Sequence, residues 1–322
     1  MEKKEQIKKI GVIGTGVIGA GWVARFLVNG YQVKVWDPAP GFYSKLLSNT
    51  ERLWPTLEKM GLSKSASVNN LGQADSLEAA CDGVDLVQEN VPEDLEIKKA
   101  IHKAIDAATS SRTIVSSSSS GLLPSDIQKI YANPERMLIA HPFNPVYLLP
   151  LVELVPGKAT SQATLDTAKS FYAGLNMHPL VVRKEIEGYL SDRLQEALWR
   201  EILHLVNDDI ATTGELDDAI IYGPGLRWAI MGTCLTFHLA GGENGMAHML
   251  EQFGPALKLP WTHLEAPELT DELIEKMVQG TQEQAQGQSI QALEQLRDDC
   301  LIDVMRALNK FKVGAGKLVR EA

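Results

Sequence analysis

The sequence is short of the features that mark several large protein classes. Only 3 of its 322 residues are cysteine, and Cys81, Cys234 and Cys300 lie far apart, with neither a CxxC pair nor ligand spacing. That argues against a disulfide framework or a bound metal and fits a reducing compartment. No apolar run is long enough to span a bilayer, so no membrane partner is expected. The opening MEKKEQIKK is charged and lacks the apolar centre of a secretory leader, so a cytoplasmic protein is expected. Basic residues are outnumbered, 31 Lys and Arg against 41 Asp and Glu, and the net charge of −10 speaks against a nucleic-acid partner. Repeats and low-complexity tracts are absent apart from the serine run 116–120.

What remains is the ordinary mixture of a globular chain, 44% apolar and 22% charged, with length enough for two domains. Over the first half, short apolar runs alternate with amphipathic stretches. Residues 9–13, 31–36 and 84–87 read as strands, and 17–29, 42–60 and 94–108 as helices. Further apolar runs follow at 112–115, 137–140, 149–155 and 178–182. Strands alternating with helices at this spacing predict an α/β domain with a mostly parallel sheet covered on both faces. Past Glu187 the strand-like alternation nearly vanishes. Residues 189–209 read as one long helix, a shorter one surrounds Asp217, and 270–279 and 288–311 read as later ones. The division expected is an α/β domain over 1–186 and a smaller all-α domain over 187–322.

Within the first domain, Gly14-Thr15-Gly16-Val17-Ile18-Gly19 matches G-x-G-x-x-G, follows a strand and opens a helix. An acidic residue, Asp37, ends the next strand. Gly14 permits the tight turn, Gly16 lets the backbone approach a pyrophosphate, and Gly19 lets the helix pack against the sheet. The N–H groups at the helix start, around Val17 and Ile18, meet the phosphate charge. Asp37 accepts hydrogen bonds from ribose hydroxyls and repels a 2′-phosphate, and the following Pro38-Ala39-Pro40 offers no arginine for that phosphate. A Rossmann-type domain binding NAD is the expectation. FAD shares the fingerprint, but a short nucleotide domain followed by a helical one favours NAD.

A second motif is His141-Pro142-Phe143-Asn144-Pro145, followed by the apolar run 149–155 that contains Glu153. Alcohol oxidation needs a base for the hydroxyl proton while hydride leaves carbon, and histidine titrates near working pH. A carboxylate on its far nitrogen would fix the tautomer. Glu153 would be costly to bury unpaired, and a turn of this length can return it to His141.

These motifs resemble those of the 3-hydroxyacyl-CoA dehydrogenase superfamily. The resemblance takes in the glycine fingerprint, the segment from Glu89 to Glu93, the serine turn, the histidine motif and the stretch Gly188-Tyr189-Leu190-Ser191-Asp192-Arg193-Leu194. It implies that His141 is the base and Glu153 its orienting partner. It also implies that Ser120 meets the substrate hydroxyl, that Asn144 holds the substrate oxygen or the nicotinamide region, and that Glu93 and Lys98 lie near the nicotinamide and substrate. Five successive serines leave the register of Ser120 ambiguous. A homodimer formed through the helical domain is implied as well, and late apolar positions such as Ile290, Leu293, Leu296, Leu301 and Val304 would suit a core or an interface.

The opening of the helical domain departs from the acyl-CoA pattern. The helical domain of those enzymes opens G-F-x-x-N-R, and here Asp192 replaces the amide. Asp192, Glu196 and Trp199 follow at i, i+4 and i+7, so they share a helix face, and Trp228 lies in a second glycine-rich stretch. Carboxylates beside aromatic faces are how proteins hold a quaternary ammonium. This segment resembles a branch of the superfamily that oxidises a small zwitterionic β-hydroxy acid bearing a quaternary ammonium. Arg193 or Arg227 would anchor its carboxylate. Two alternatives stand beside this reading. One is another NAD-linked 3-hydroxy acid dehydrogenase, acting on a short-chain 3-hydroxyacyl-CoA or on L-gulonate. The other is a non-catalytic, crystallin-like NAD-binding protein.

Overall fold

The computed structural model describes residues 7–229, 231–241, 243, 245–253, 255, 259–262, 268, 270–273 and 286–319. These fall into two compact units. The first runs to Asp192 and is rejoined by Leu318, and the second is Arg193–Lys317.

The first unit is built on strands β1 (Lys9–Ile13), β2 (Gln32–Trp36), β3 (Leu71–Gln73), β4 (Leu86–Glu89), β5 (Ile114–Ser117), β6 (Met137–Pro142), β7 (Leu151–Pro156) and β8 (His178–Val181). They form one eight-stranded sheet in the order β3-β2-β1-β4-β5-β6-β7-β8. Every neighbouring pair is parallel except β6 and β7, which run antiparallel. Between them come α1 (Val17–Val28), α2 (Phe42–Met60), α3 (Leu77–Cys81), α4 (Leu95–Ala108), α5 (Pro124–Gln128) and α6 (Gln162–Gly174).

The alternation of side chains along a strand explains the two cores. Ile10 and Val12 of β1 pack with Trp22 and Phe26 of α1 and Tyr172 of α6. Ile13 faces the other way, with Ala80 of α3, Ile105 of α4 and Ile127 of α5. Central strands β4, β5 and β6 are buried along their whole length, including the polar side chains Gln88, Glu89, Ser116, Ser117 and His141 toward their carboxyl ends. Each fully buried large side chain contributes roughly 1.5–3 kcal/mol.

The strand order reverses between β1, which leads to β2, and β4, which leads to β5. In open α/β sheets the ligand crevice lies outside the carboxyl ends of the strands at such a switch point. Gly14, Asp37, Asn90, Ser118 and Phe143 each follow directly on such an end. One feature was not expected from the sequence: β3, only three residues long, adds an edge. β7 turns back antiparallel on β6.

The segment 187–192 is held by hydrogen bonds to the first unit. Tyr189 donates its hydroxyl to the Leu122 carbonyl at 2.8 Å, and the Leu190 and Ser191 amides reach Glu153. Helix α7 (Ser191–Asn207) starts there. The second unit continues it with α8 (Thr213–Ile221), α9 (Pro224–Trp228), α10 (Thr233–Ala240), α11 (Gly245–Phe253) and α12 (Ile290–Lys310). Leu203, Val206 and Leu273 form a small core within it. Of the helix expected over 270–279, residues 274–279 lie outside the described residues, as do the side chains of Ile290 and Leu293. Among the described residues no helix is long and apolar enough to cross a membrane.

Candidate active site

The glycine turn has the shape a dinucleotide requires. Gly14 sits at φ +85°, and a Cβ there would stand 2.8 Å from the Asn90 carbonyl oxygen. A Cβ on Gly19 would come within 2.0 Å of the Gly14 carbonyl oxygen, whereas one on Gly16 would meet nothing within 4 Å. So Gly14 and Gly19 are packing requirements, and Gly16 leaves the backbone open to a ligand. Helix α1 starts with no side-chain cap, which leaves the amides of its first turn directed outward.

Asp37 is half-buried at the end of β2. Its Oδ2 accepts from the Thr15 amide at 2.7 Å and the Thr15 hydroxyl at 3.1 Å, and its Oδ1 accepts from the Ala39 amide at 2.9 Å. The carboxylate is thus locked at the mouth of a cavity of about 570 Å³ lined by Trp36, Pro38, Phe42, Tyr43 and Asp75. A partly apolar cavity beside a fixed carboxylate suits an adenosine, so the residues present fit NAD.

The antiparallel pairing of β6 and β7 is what joins the histidine to its carboxylate. The register sets His141 directly opposite Glu153, and His141 Nδ1 lies 3.0 Å from Glu153 Oε2. The other oxygen, Oε1, accepts from the Leu190 amide at 3.1 Å and the Ser191 amide at 3.0 Å. Burial by itself pushes the Glu153 carboxyl upward, but the bonds from His141 and these two amides outweigh it and hold it below the usual value. An ionised Glu153 can only accept, so Nδ1 carries the proton and Nε2 of the neutral ring keeps its lone pair. The ring is 6% exposed and lies between Phe143 and Tyr189, edge-on to both at 5.6 and 5.5 Å.

Asp192 stands on the opposite side of the imidazole, in the first turn of α7, with Oδ2 3.6 Å from His141 Nε2. The candidate base therefore has a carboxylate on each side, one bonded to Nδ1 and one facing Nε2.

The serine run is sorted by its partners. Ser117 donates to Glu89, Ser118 to Asn90 and Ser119 to Glu93, and Ser116 is wholly buried. The hydroxyl of Ser120 meets no described residue in a hydrogen bond and is half-exposed. Asn144 is exposed just beyond β6 and precedes a cis proline, Pro145.

Lys98 turns inward, while Glu93 is 39% exposed and is held by the serine turn. Oε1 of Glu93 accepts from the Ser119 hydroxyl and from the amides of Ser120, Gly121 and Leu122, which fixes the serine turn. Lys98 is 1% exposed, and its Nζ meets Glu89 at 2.9 Å, the Val91 carbonyl at 3.1 Å and Glu93 at 3.6 Å. Its charge is spent inside the protein.

Glu89 was not singled out by sequence, yet it anchors this cluster, bonding His102 Nε2 at 2.9 Å as well. Burial would raise its pKa, but His102, Lys98 and Ser117 together hold it down to about 2. The signal available was an acid ending a short strand that begins with Leu86 and Val87.

Three expected substrate residues belong to the second unit. Glu196 pairs with Arg200 at 3.9 Å along α7, and Trp199 and Trp228 are 42% and 44% exposed. Arg193 and Arg227 lie in the same unit.

Residues 9–186 match the model of the 3-hydroxyacyl-CoA dehydrogenase NAD-binding domain, and residues 188–288 match that of the C-terminal domain of the same family. Similar proteins include an L-carnitine dehydrogenase of Bacillus cereus, 53% identical over 98% of each chain. Another is an L-carnitine dehydrogenase of Oceanobacillus iheyensis, 55% identical over 95% of this chain and 99% of its own. Among solved structures, an NAD+-dependent 5-formyl-3-hydroxy-2-methylpyridine-4-carboxylic acid 5-dehydrogenase superposes with a TM-score of 0.80 at 27% identity. That match covers 94% of this chain and 99% of the other.

Proposed function

The chain belongs to the 3-hydroxyacyl-CoA dehydrogenase family as an NAD-dependent dehydrogenase, and from that premise we propose that it oxidises L-carnitine to 3-dehydrocarnitine. The observation that carries the reading is the carboxylate of Asp192, 3.6 Å from the nitrogen of His141 that would act as base. In L-carnitine the trimethylammonium nitrogen is attached one carbon from the carbinol carbon. A hydroxyl delivered to Nε2 therefore brings the cation into the neighbourhood of Asp192. The names of relatives about half identical over nearly the whole chain point the same way.

In this mechanism Nε2 of His141 takes the hydroxyl proton, and Glu153 stabilises the imidazolium that forms. Bound NAD supplies the acceptor for the hydride that leaves the carbinol carbon. The half-exposed hydroxyl of Ser120 donates to the oxygen as it becomes a carbonyl, and Asn144 holds the same oxygen or the nicotinamide region. Glu93 acts through the serine turn, whose three amides and one hydroxyl it gathers. Lys98 acts through Glu93 and Glu89. The exposed rings of Trp199 and Trp228, with Glu196, are the further groups assigned to cation recognition.

A homodimer through the helical domain accompanies this reading. Support comes from large apolar side chains left exposed in the second unit, among them Leu235, Phe237, Leu250 and Phe253. The aqueous, reducing cytoplasm suits a chain with three unpaired cysteines.

The test is NADH formation with L-carnitine, D-carnitine, 3-hydroxybutyryl-CoA and L-gulonate offered separately. Turnover of L-carnitine is expected. Turnover of the CoA ester or L-gulonate without L-carnitine would assign the substrate elsewhere in the family. Tight NAD binding with no turnover of any of them would favour a structural role.

A further inference from the structure

Helix α1 carries one charged residue in a stretch that is otherwise apolar and glycine, Arg25, and it is only 7% exposed. An arginine in such a place is costly unless its donors are met. Its Nε donates to the Val146 carbonyl at 3.0 Å and its Nη2 to the Leu149 carbonyl at 3.1 Å. Both carbonyls belong to the loop 143–150, which leaves β6 just after His141 and returns into β7 and Glu153.

Other contacts seat the same loop on the same helix. A Cβ on Gly21, one turn before Arg25, would stand 2.8 Å from Cβ of Val146, so the glycine lets the loop lie against α1. Tyr147 packs against the cluster that includes Ala24 and Val28. Trp22 donates its indole N–H to Ser118 at 2.9 Å, which ties the serine segment to α1 as well.

We infer that Arg25 is a positioning residue that fixes the Asn144 loop to the nucleotide-binding helix, so that cofactor and catalytic groups share one rigid support. The inference rests on the catalytic reading of His141 and Asn144. Arginine suits the task because its planar fork can span two carbonyls three residues apart, whereas a lysine ammonium would serve as a single point donor. The first turn of α1, where the phosphates would lie, is left untouched by the side chain.

Arg25→Met keeps the aliphatic stem and removes the fork, and Arg25→Lys keeps the charge. In Arg25→Met, kcat is expected to fall about tenfold to a hundredfold, because an error of about 1 Å in placement has an effect of that size. NAD affinity, read by tryptophan fluorescence, should stay within about twofold. Amide hydrogen exchange at Leu148 and Leu149, whose amides both bond the Pro145 carbonyl, should quicken about tenfold without substrate present. Arg25→Lys should recover part of both the exchange protection and kcat, and it preserves the test if the methionine variant does not fold. Unchanged loop protection in a folded variant would overturn the inference. So would a loss of NAD affinity in step with kcat. Loop exchange is read without substrate, so a wrong choice of alcohol would leave that readout intact.

Discussion

Replacing Asp192 by asparagine removes one negative charge while keeping the shape of the side chain. At a separation of about 4 Å, a cation and a carboxylate attract by roughly 1 kcal/mol in water and roughly 4 kcal/mol at the effective dielectric of a protein surface. Asp192 is 30% exposed, so it lies between these limits. An interaction of about 2 kcal/mol corresponds to roughly a thirtyfold change in affinity. L-carnitine should therefore bind about thirtyfold more weakly to Asp192→Asn, with NAD affinity unchanged. The assay is steady-state NADH formation against L-carnitine concentration, paired with a fluorescence titration of NAD. Asparagine also restores the amide of the acyl-CoA pattern, so activity toward short 3-hydroxyacyl-CoA esters should not fall in parallel. An unchanged Michaelis constant for L-carnitine would refute the assignment of Asp192 to the cation.

Further expectations attach to other residues. His141→Ala should lower kcat by about 10²–10⁴ while NAD still binds, the range for loss of a positioned acid–base group. Glu153→Gln should also lower kcat strongly, because a neutral amide no longer imposes the Nδ1–H tautomer; near-normal kcat would remove Glu153 from the mechanism. Lys98→Met leaves Glu89 buried without its ammonium partner and should cost about 3–5 kcal/mol in urea unfolding. Glu89 itself has a depressed pKa of about 2. Its contribution to stability is therefore full above the ordinary carboxylate range and is lost as pH falls toward 2. Acid unfolding followed by circular dichroism should show that loss, and its absence in Glu89→Gln would confirm the source. Gly19→Ala forces a Cβ to within 2.0 Å of the Gly14 carbonyl oxygen and should abolish NAD binding, as titration would show.

Much of this site was legible because its residues break a local pattern. Gly14, Gly16 and Gly19 interrupt a strand-to-helix junction, and Glu153 interrupts an apolar strand. Each irregularity has a partner that explains it. The same argument applied to Arg25 would have found a buried arginine, since it stands alone among apolar residues, whereas Glu89, flanked by Gln88 and Asn90, breaks no such pattern. Their partners could not be read in advance. Arg25 reaches backbone carbonyls, which carry no residue signature, and Glu89 meets a lysine and a histidine on α4 whose spacing looks like an ordinary helix surface. Ser120 shows another limit. Five identical residues have no register until Glu89, Asn90 and Glu93 engage the hydroxyls of Ser117, Ser118 and Ser119. That the run 149–155 can fold back toward His141 was legible from the length of the turn, but its strand register was not, because an apolar run has no direction. Yet that register is what sets Glu153 opposite His141.

The most direct measurement compares L-carnitine with its neutral isostere, in which a quaternary carbon replaces the ammonium nitrogen. Both offer the same hydroxyl to His141 and the same bulk to the site, and only the charge facing Asp192 differs. With NAD saturating, kcat/KM should be about thirtyfold higher for L-carnitine. Equal turnover of the two, or no NADH from L-carnitine at all, would contradict recognition of a cation beside the catalytic histidine.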